Sequence, residues 1–151
     1  MQFRNRPGAP EALTFAMFAM FAIFAVAVPA VARAAAQNCG GDLKGAQRIE
    51  SAPYAIAYRT RPAKIVVGKH FSVEFAVCAK ADRAAPEAVL VDANMPMHHH
   101  GMNYQPTIAK TGPDRYRADG LMFHMPGRWD LSFELKSQGK TERLTQSIVV
   151  Q

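Results

Sequence analysis

The chain has 151 residues, with eighteen Lys plus Arg against twelve Asp plus Glu and a formal net charge of +6. That is one domain's length, enough to bury a real core. Its basic residues are scattered through Arg48, Arg59, Arg61, Lys69, Lys80 and Arg128 without a run or stripe, which argues against a nucleic-acid partner.

The start of the chain decides the compartment. Arg4 and Arg6 supply a positive n-region, and Phe15 to Ala32 is an apolar run broken only by Pro29. Ala32-Arg33-Ala34 and Ala34-Ala35-Ala36 each offer an A-x-A cleavage site, so residues 1–36 read as a signal peptide and the protein as exported. The competing reading is an uncleaved anchor in the inner membrane, because about 18 apolar residues reach the lower limit for spanning a bilayer. Ala36-Gln37-Asn38 before Cys39 lacks the residues of a lipoprotein cleavage box. Cleavage after Ala36 leaves 115 residues with fifteen basic and eleven acidic side chains, a net charge near +4.

A polar lead follows, residues 37–50, with Gly40, Gly41 and Gly45. It carries Cys39, and the second cysteine, Cys78, ends a strand-like segment. Two cysteines in an exported domain most simply form one disulfide. Closing a loop of about 40 residues is worth roughly 4 kcal/mol in the chain-entropy model. The alternative makes one of them a metal thiolate.

From Ser51 to Gln151 the pattern is that of strands. In His70 to Cys78, Phe71, Val73, Phe75 and Val77 alternate with His70, Ser72, Glu74 and Ala76, as expected for a half-buried strand. Cys78 shares the outward parity and can meet Cys39 from outside the core. Arg128 to Leu135 repeats the pattern, with Trp129, Leu131, Phe133 and Leu135 inward. Weaker candidates are Tyr54 to Tyr58, Lys64 to Val67, Ala88 to Ala93, Pro106 to Ala109, Arg115 to Ala118 and Leu144 to Val150. Turn signals at Gly68, Ala85-Pro86, Gly112-Pro113-Asp114, Pro126-Gly127 and Ser137-Gln138-Gly139-Lys140 separate them. About seven short strands without a helical period predict an all-β fold, a single immunoglobulin-like sandwich over residues 51–151.

The chemistry is concentrated in one window. Every methionine beyond residue 36 (Met95, Met97, Met102, Met122 and Met125) lies within thirty-one residues, together with His98, His99, His100 and His124. Thioether sulfur and imidazole nitrogen are the donors that suit copper, above all Cu(I). The first arm, Met95 to Met102, follows one predicted strand, and the second, Leu121 to Gly127, precedes another, so both lie where strands run into loops. If the first arm is extended, His98, His100 and Met102 share one face while Met97 and His99 share the other. In the second, Met122 and His124 share a face, with Met125 opposite unless the turn rotates it. The first-choice ligand set is His98, His100, His124 and Met125, with Met102, Met97, Met122 and His99 in reserve. No cysteine is near enough for a blue-copper centre.

Plainer readings stand beside this one. A methionine at a strand end is commonly core filler, Met95 and Met122 above all. The histidine triplet could be a solvated loop, and His70, alone on an outward face, reads as surface.

Met95-Pro96-Met97-His98, the following His100-Gly101, Tyr116 and the stretch Met125 to Leu131 resemble the YtkA-like/FixH-like family of small exported domains over roughly residues 62–150. The resemblance implies an immunoglobulin-like sandwich, a periplasmic location, and a part in bacterial copper handling or haem-copper oxidase assembly. His98 and His100 carry over best by motif match, His99 and Met102 less well. Family members anchored in the membrane keep a transmembrane helix, whereas this N-terminus looks cleavable.

Two functions follow as expectations. One is a periplasmic copper-binding protein, a chaperone or scavenger that passes the ion to a protein acceptor in the periplasm or inner membrane. The other is a metal-free interaction module that assists assembly of a membrane complex, with Met97, Met102 and Tyr104 as an apolar contact patch. An enzyme is not expected: the chain has no nucleophile elbow, phosphate-cradling glycine loop or H-E-x-x-H helix. A hydrolytic zinc site of three histidines lacks a nearby Glu as base, since only Asp114 and Asp119 fall in the window.

Overall fold

The structure, a computed structural model, describes residues 38–80 and 83–151. The expected signal peptide and its cleavage point lie outside these residues. Among the described residues no helix is long and apolar enough to cross a membrane.

Among the described residues nine strands follow in chain order: β1 (Gln47–Glu50), β2 (Tyr54–Arg61), β3 (His70–Ala79), β4 (Ala88–Met95), β5 (His100–Gly101), β6 (Thr107–Gly112), β7 (Arg115–Met122), β8 (Gly127–Ser137) and β9 (Lys140–Val150). They form two antiparallel sheets, one ordered β1-β2-β3-β7-β6 and the other β5-β4-β8-β9. Without β1 and β5 this is the seven-strand immunoglobulin arrangement, four strands facing three. The strand count therefore exceeds the expected seven. β1 is a polar segment of the lead that carries no alternation to read, and β5 is only two residues long. Lys64 to Val67, expected as a strand, instead bends between Pro62 and Gly68. Ile65 and Val67 turn against the core there, and Val66 is left 47% exposed.

The alternating segments pack as their parity requires. Phe71, Val73, Phe75 and Val77 meet Trp129, Leu131, Phe133 and Leu135 in a core where each is at most 4% exposed. Phe133 contacts both Phe75 and Tyr58 at ring-centroid distances of 5.2 and 5.4 Å. The outer face of β3 is not all wet, however. The lead folds over it, so Cys39, Ala55 and Ala76 form a second small cluster. Gly40, at φ +68°, lies so close that a Cβ would come within 2.4 Å of Ala57 Cβ, which explains a glycine there. This seat brings Cys39 to Cys78, and the two are joined as a disulfide across 39 residues.

Strand direction places the functional segments. β2 ends and β3 begins at the same pole at which β4 and β7 end and β8 begins, because Arg61 pairs with Ser72, His70 with Met122 and Gly127 with Val150. The loops 62–69, 96–106 and 123–126 and the end of β9 therefore gather at one pole. The opposite pole holds the turn at Asp114 and the two-residue hairpin Gln138-Gly139. Both hairpin residues have positive φ, as a type I′ turn requires.

Candidate metal centre

The first arm is not extended. β4 delivers Met95 into the core at 2% exposure, Pro96 then starts a 3-10 turn over Pro96–His98, and His99 adopts the left-handed conformation at φ 54°. Proline suits the first position of such a turn because its φ is preset and no N–H is needed. The reversal lets β5 pair back on β4, with Met95 opposite His100 and Asn94 opposite Gly101. It corrects the expected parity in part. His99 is thrown into solvent, while the rings of His98 and His100 lie 5.9 Å apart. Beyond β5, the Met102 N–H donates to the Ala93 carbonyl at 3.0 Å, which holds a half-buried Met102 against the core.

The second arm is anchored from within. Phe123 is fully buried and stacks on Trp129 with centroids 4.7 Å apart and planes 5° from parallel. The Phe123 carbonyl accepts the Gly68 N–H at 2.8 Å, and the Met125 carbonyl accepts the Trp129 indole N–H at 3.0 Å. Phe123 and Met125 are thereby fixed on either side of His124. Gly127, at φ +124°, begins β8 where a Cβ would stand 2.9 Å from Met95 Cε. Met95 is thus a core residue that underlies both arms.

The two arms meet. The His100 and His124 rings lie 5.0 Å apart at 32°, and each is edge-on to Trp129, at 5.9 and 5.3 Å. Two imidazoles on one ion have ring centres roughly 5 to 6 Å apart, from bonds of about 2 Å. His100 Nδ1 is 3.1 Å from the Gly101 carbonyl oxygen. A carbonyl only accepts, so this is a hydrogen bond when Nδ1 carries the proton, the tautomer that leaves the Nε2 lone pair for a ligand. His124 Nδ1 is buried without a hydrogen-bond partner. Such a group costs about 1–3 kcal/mol unless something satisfies it.

Met102 and Met125 pack half-buried against the same core. The remaining candidates stand apart. His98 touches His100 from the exposed side, His99 is exposed, Met97 is 74% exposed, and Met122 pairs with His70 at the end of β7. Among the described residues no group of three or more His, Cys, Asp or Glu is already gathered around one point. Of the candidates, His100 and His124 are in ring contact with each other, His98 lies against His100, and Met102 and Met125 pack against the same core. The thiolate alternative is excluded, because Cys39 and Cys78 are bonded to each other. His70, read as surface, is exposed but rests edge-on against Tyr104 at 5.3 Å.

Trp129 was legible in the sequence only as an inward residue of a strand. Its placement four residues beyond Met125 was the available signal for its second task, since that spacing lets the indole reach back across Pro126-Gly127.

No model of a known protein family and no curated protein matches the chain. Among solved structures, it is similar to the crystal structure of a DUF4426 family protein from Pseudomonas aeruginosa PAO1. The two are 10% identical, with 72% of this chain and 98% of that one covered and a TM-score of 0.45. At that level nothing about function passes between the two, and membership of the YtkA-like/FixH-like family is not shown.

Proposed function

We propose that this protein is an exported, periplasmic copper-binding protein that holds the ion between His100 and His124 with Met125 and Met102, and His98 as an outer donor. The observation that carries the reading is the 5.0 Å approach of two imidazoles from distant arms, one with a buried Nδ1 that lacks a partner. Imidazole and thioether suit Cu(I), and imidazole alone suits Cu(II). Without a thiolate the ion is held loosely enough to be handed on. Copper is then cargo, acquired at an exposed pole and passed by ligand exchange to an acceptor's own soft donors. The motif resemblance to YtkA-like/FixH-like domains points to the same business, including haem-copper oxidase assembly.

The test is a Cu(I) titration against a competing chelator, with the wild-type chain beside a His98→Ala/His100→Ala/His124→Ala variant. One tight equivalent lost in the variant is expected, and equal weak uptake by both removes the proposal.

A second reading, a metal-free interaction module, draws on the exposure of Met97 (74%) and Tyr104 (47%). Partner recovery from membranes that is unaffected by a copper chelator would favour it.

A further inference from the structure

The segments gathered at the histidine pole, 62–69, 95–106, 122–128 and 147–151, contain no Asp or Glu, while they carry Lys64, Lys69, Arg128 and His98, His99, His100 and His124. Lys64, Lys69 and Arg128 are exposed. On the strands leading to this pole, the carboxylate side chains of Asp119, Glu74 and Asp130 are already engaged, with Arg117, Arg59 and the Ser147 hydroxyl. At the edge of this pole opens a cleft of about 490 Å³ lined by Lys44, Arg59, Arg61 and Lys64, with Ile65 and Ile148 as an apolar wall and no Asp or Glu side chain. Glu74 offsets part of this charge by pairing with Arg59 and Arg61, yet a cationic surplus remains.

Exposed apolar side chains share the location. Of the five large hydrophobic residues exposed among the described residues, Val66 (47%), Met97 (74%), Tyr104 (47%) and Val149 (68%, at the end of β9) lie at this pole, and Leu90 lies in the middle of β4.

We infer that this pole docks onto an anionic lipid bilayer, phosphate headgroups entering the cationic cleft and the aliphatic tips entering the interface. Cations beside single apolar side chains are the pattern of peripheral membrane attachment. The tips stand on three separate segments with cations between them. Mobile headgroups can satisfy such an arrangement without a fixed complementary surface, which an acidic protein partner would have to supply. The inference rests on charge and exposure and is independent of metal binding, though it sets the His/Met donors at the membrane surface.

The experiment uses the full chain on vesicles of phosphatidylcholine alone and of phosphatidylcholine mixed with phosphatidylglycerol. A nitroxide is attached in turn through Val149→Cys, Met97→Cys and, at the opposite pole, Gln138→Cys, and its collisions with a water-soluble nickel relaxant are measured. A local label reads the pole itself, whatever the apolar N-terminal run does. Shielding at positions 149 and 97 is expected on the mixed vesicles only, with position 138 wet on both. Lys64→Gln/Lys69→Gln should shift the docking equilibrium roughly 25-fold toward release, and high salt should act likewise. Labels at 149 and 97 that stay wet on mixed vesicles overturn the inference in favour of an acidic protein partner. Equal shielding on both vesicle types, or at all three positions, overturns it as well.

Discussion

The indole N–H of Trp129 donates to the carbonyl oxygen of Met125 at 3.0 Å, so the largest fully buried side chain of the core also holds the turn that carries the second donor arm. The same ring meets His100 and His124 edge-on and stacks on Phe123. Site and core are therefore one packed unit here. Trp129→Phe keeps most of the apolar volume but removes the donor and leaves the Met125 carbonyl without its partner. It should cost about 1–3 kcal/mol of stability and weaken Cu(I) binding about tenfold, as lost outer-shell support does. Chemical denaturation and chelator competition on the same variant measure both.

Single substitutions should rank the histidines by position. His100→Ala and His124→Ala are each expected to reduce Cu(I) affinity about 100-fold or more, beyond what an outer-shell change costs. His98→Ala should lose less, His99→Ala little, and His70→Ala nothing. An equal loss from His99→Ala and His100→Ala would show that the triplet binds as a solvated loop. Because Trp129 is the one tryptophan and its ring abuts both imidazoles, its emission should also change on loading.

The disulfide lies away from this pole. Cys78 is near the end of β3 opposite His70, so Cys39→Ala/Cys78→Ala should lower unfolding free energy by about 2–4 kcal/mol while leaving Cu(I) affinity within a factor of two or so of wild type. Urea unfolding and the chelator titration separate the two effects. A large affinity loss would mean that the bridge shapes the site.

Alkaline stability should report Tyr58. Burial pushes its phenol up to about 12, and its O–H donates to Gln47 Oε1 at 2.6 Å. A phenol raised in the folded state contributes stability that is complete below the ordinary value near 10 and is lost as pH rises through the folded value. Unfolding free energy should thus fall between pH 10 and 12 by roughly 2–3 kcal/mol. Tyr58→Phe should flatten that limb in guanidinium titrations.

The acid limb should report Glu74. The Arg59 guanidinium at 2.6 Å, with Arg61 behind it, holds this carboxyl below the usual carboxylate range. A lowered carboxyl contributes stability above the ordinary value that is lost as pH falls through the folded one. Glu74→Gln should cost about 1 kcal/mol at neutral pH, in keeping with a partly exposed ion pair, and close to nothing once wild-type Glu74 is protonated. Thermal unfolding of both proteins across the acid range tests this.

Much of the molecule was determined by the sequence alone. Alternation in His70–Ala79 and Gly127–Ser137 specifies which side chains form the core, because a pleated strand sends successive side chains to opposite faces whatever it pairs with. The turn residues at Gln138-Gly139 and the oxidised cysteine pair were legible for similar local reasons. Other features had no local signal. β1 is a strand only because β2 offers it an edge, and Lys64–Val67 is not one because nothing stands beside it to pair with. The first donor arm bends back because β5 finds hydrogen bonds on β4, which overrides the extended parity of its residues. Whether His100 and His124 would meet, and beside which ring, was left to the packing of two sheets. That is a long-range relation between segments more than twenty residues apart, and only the closed core around Trp129 decides it.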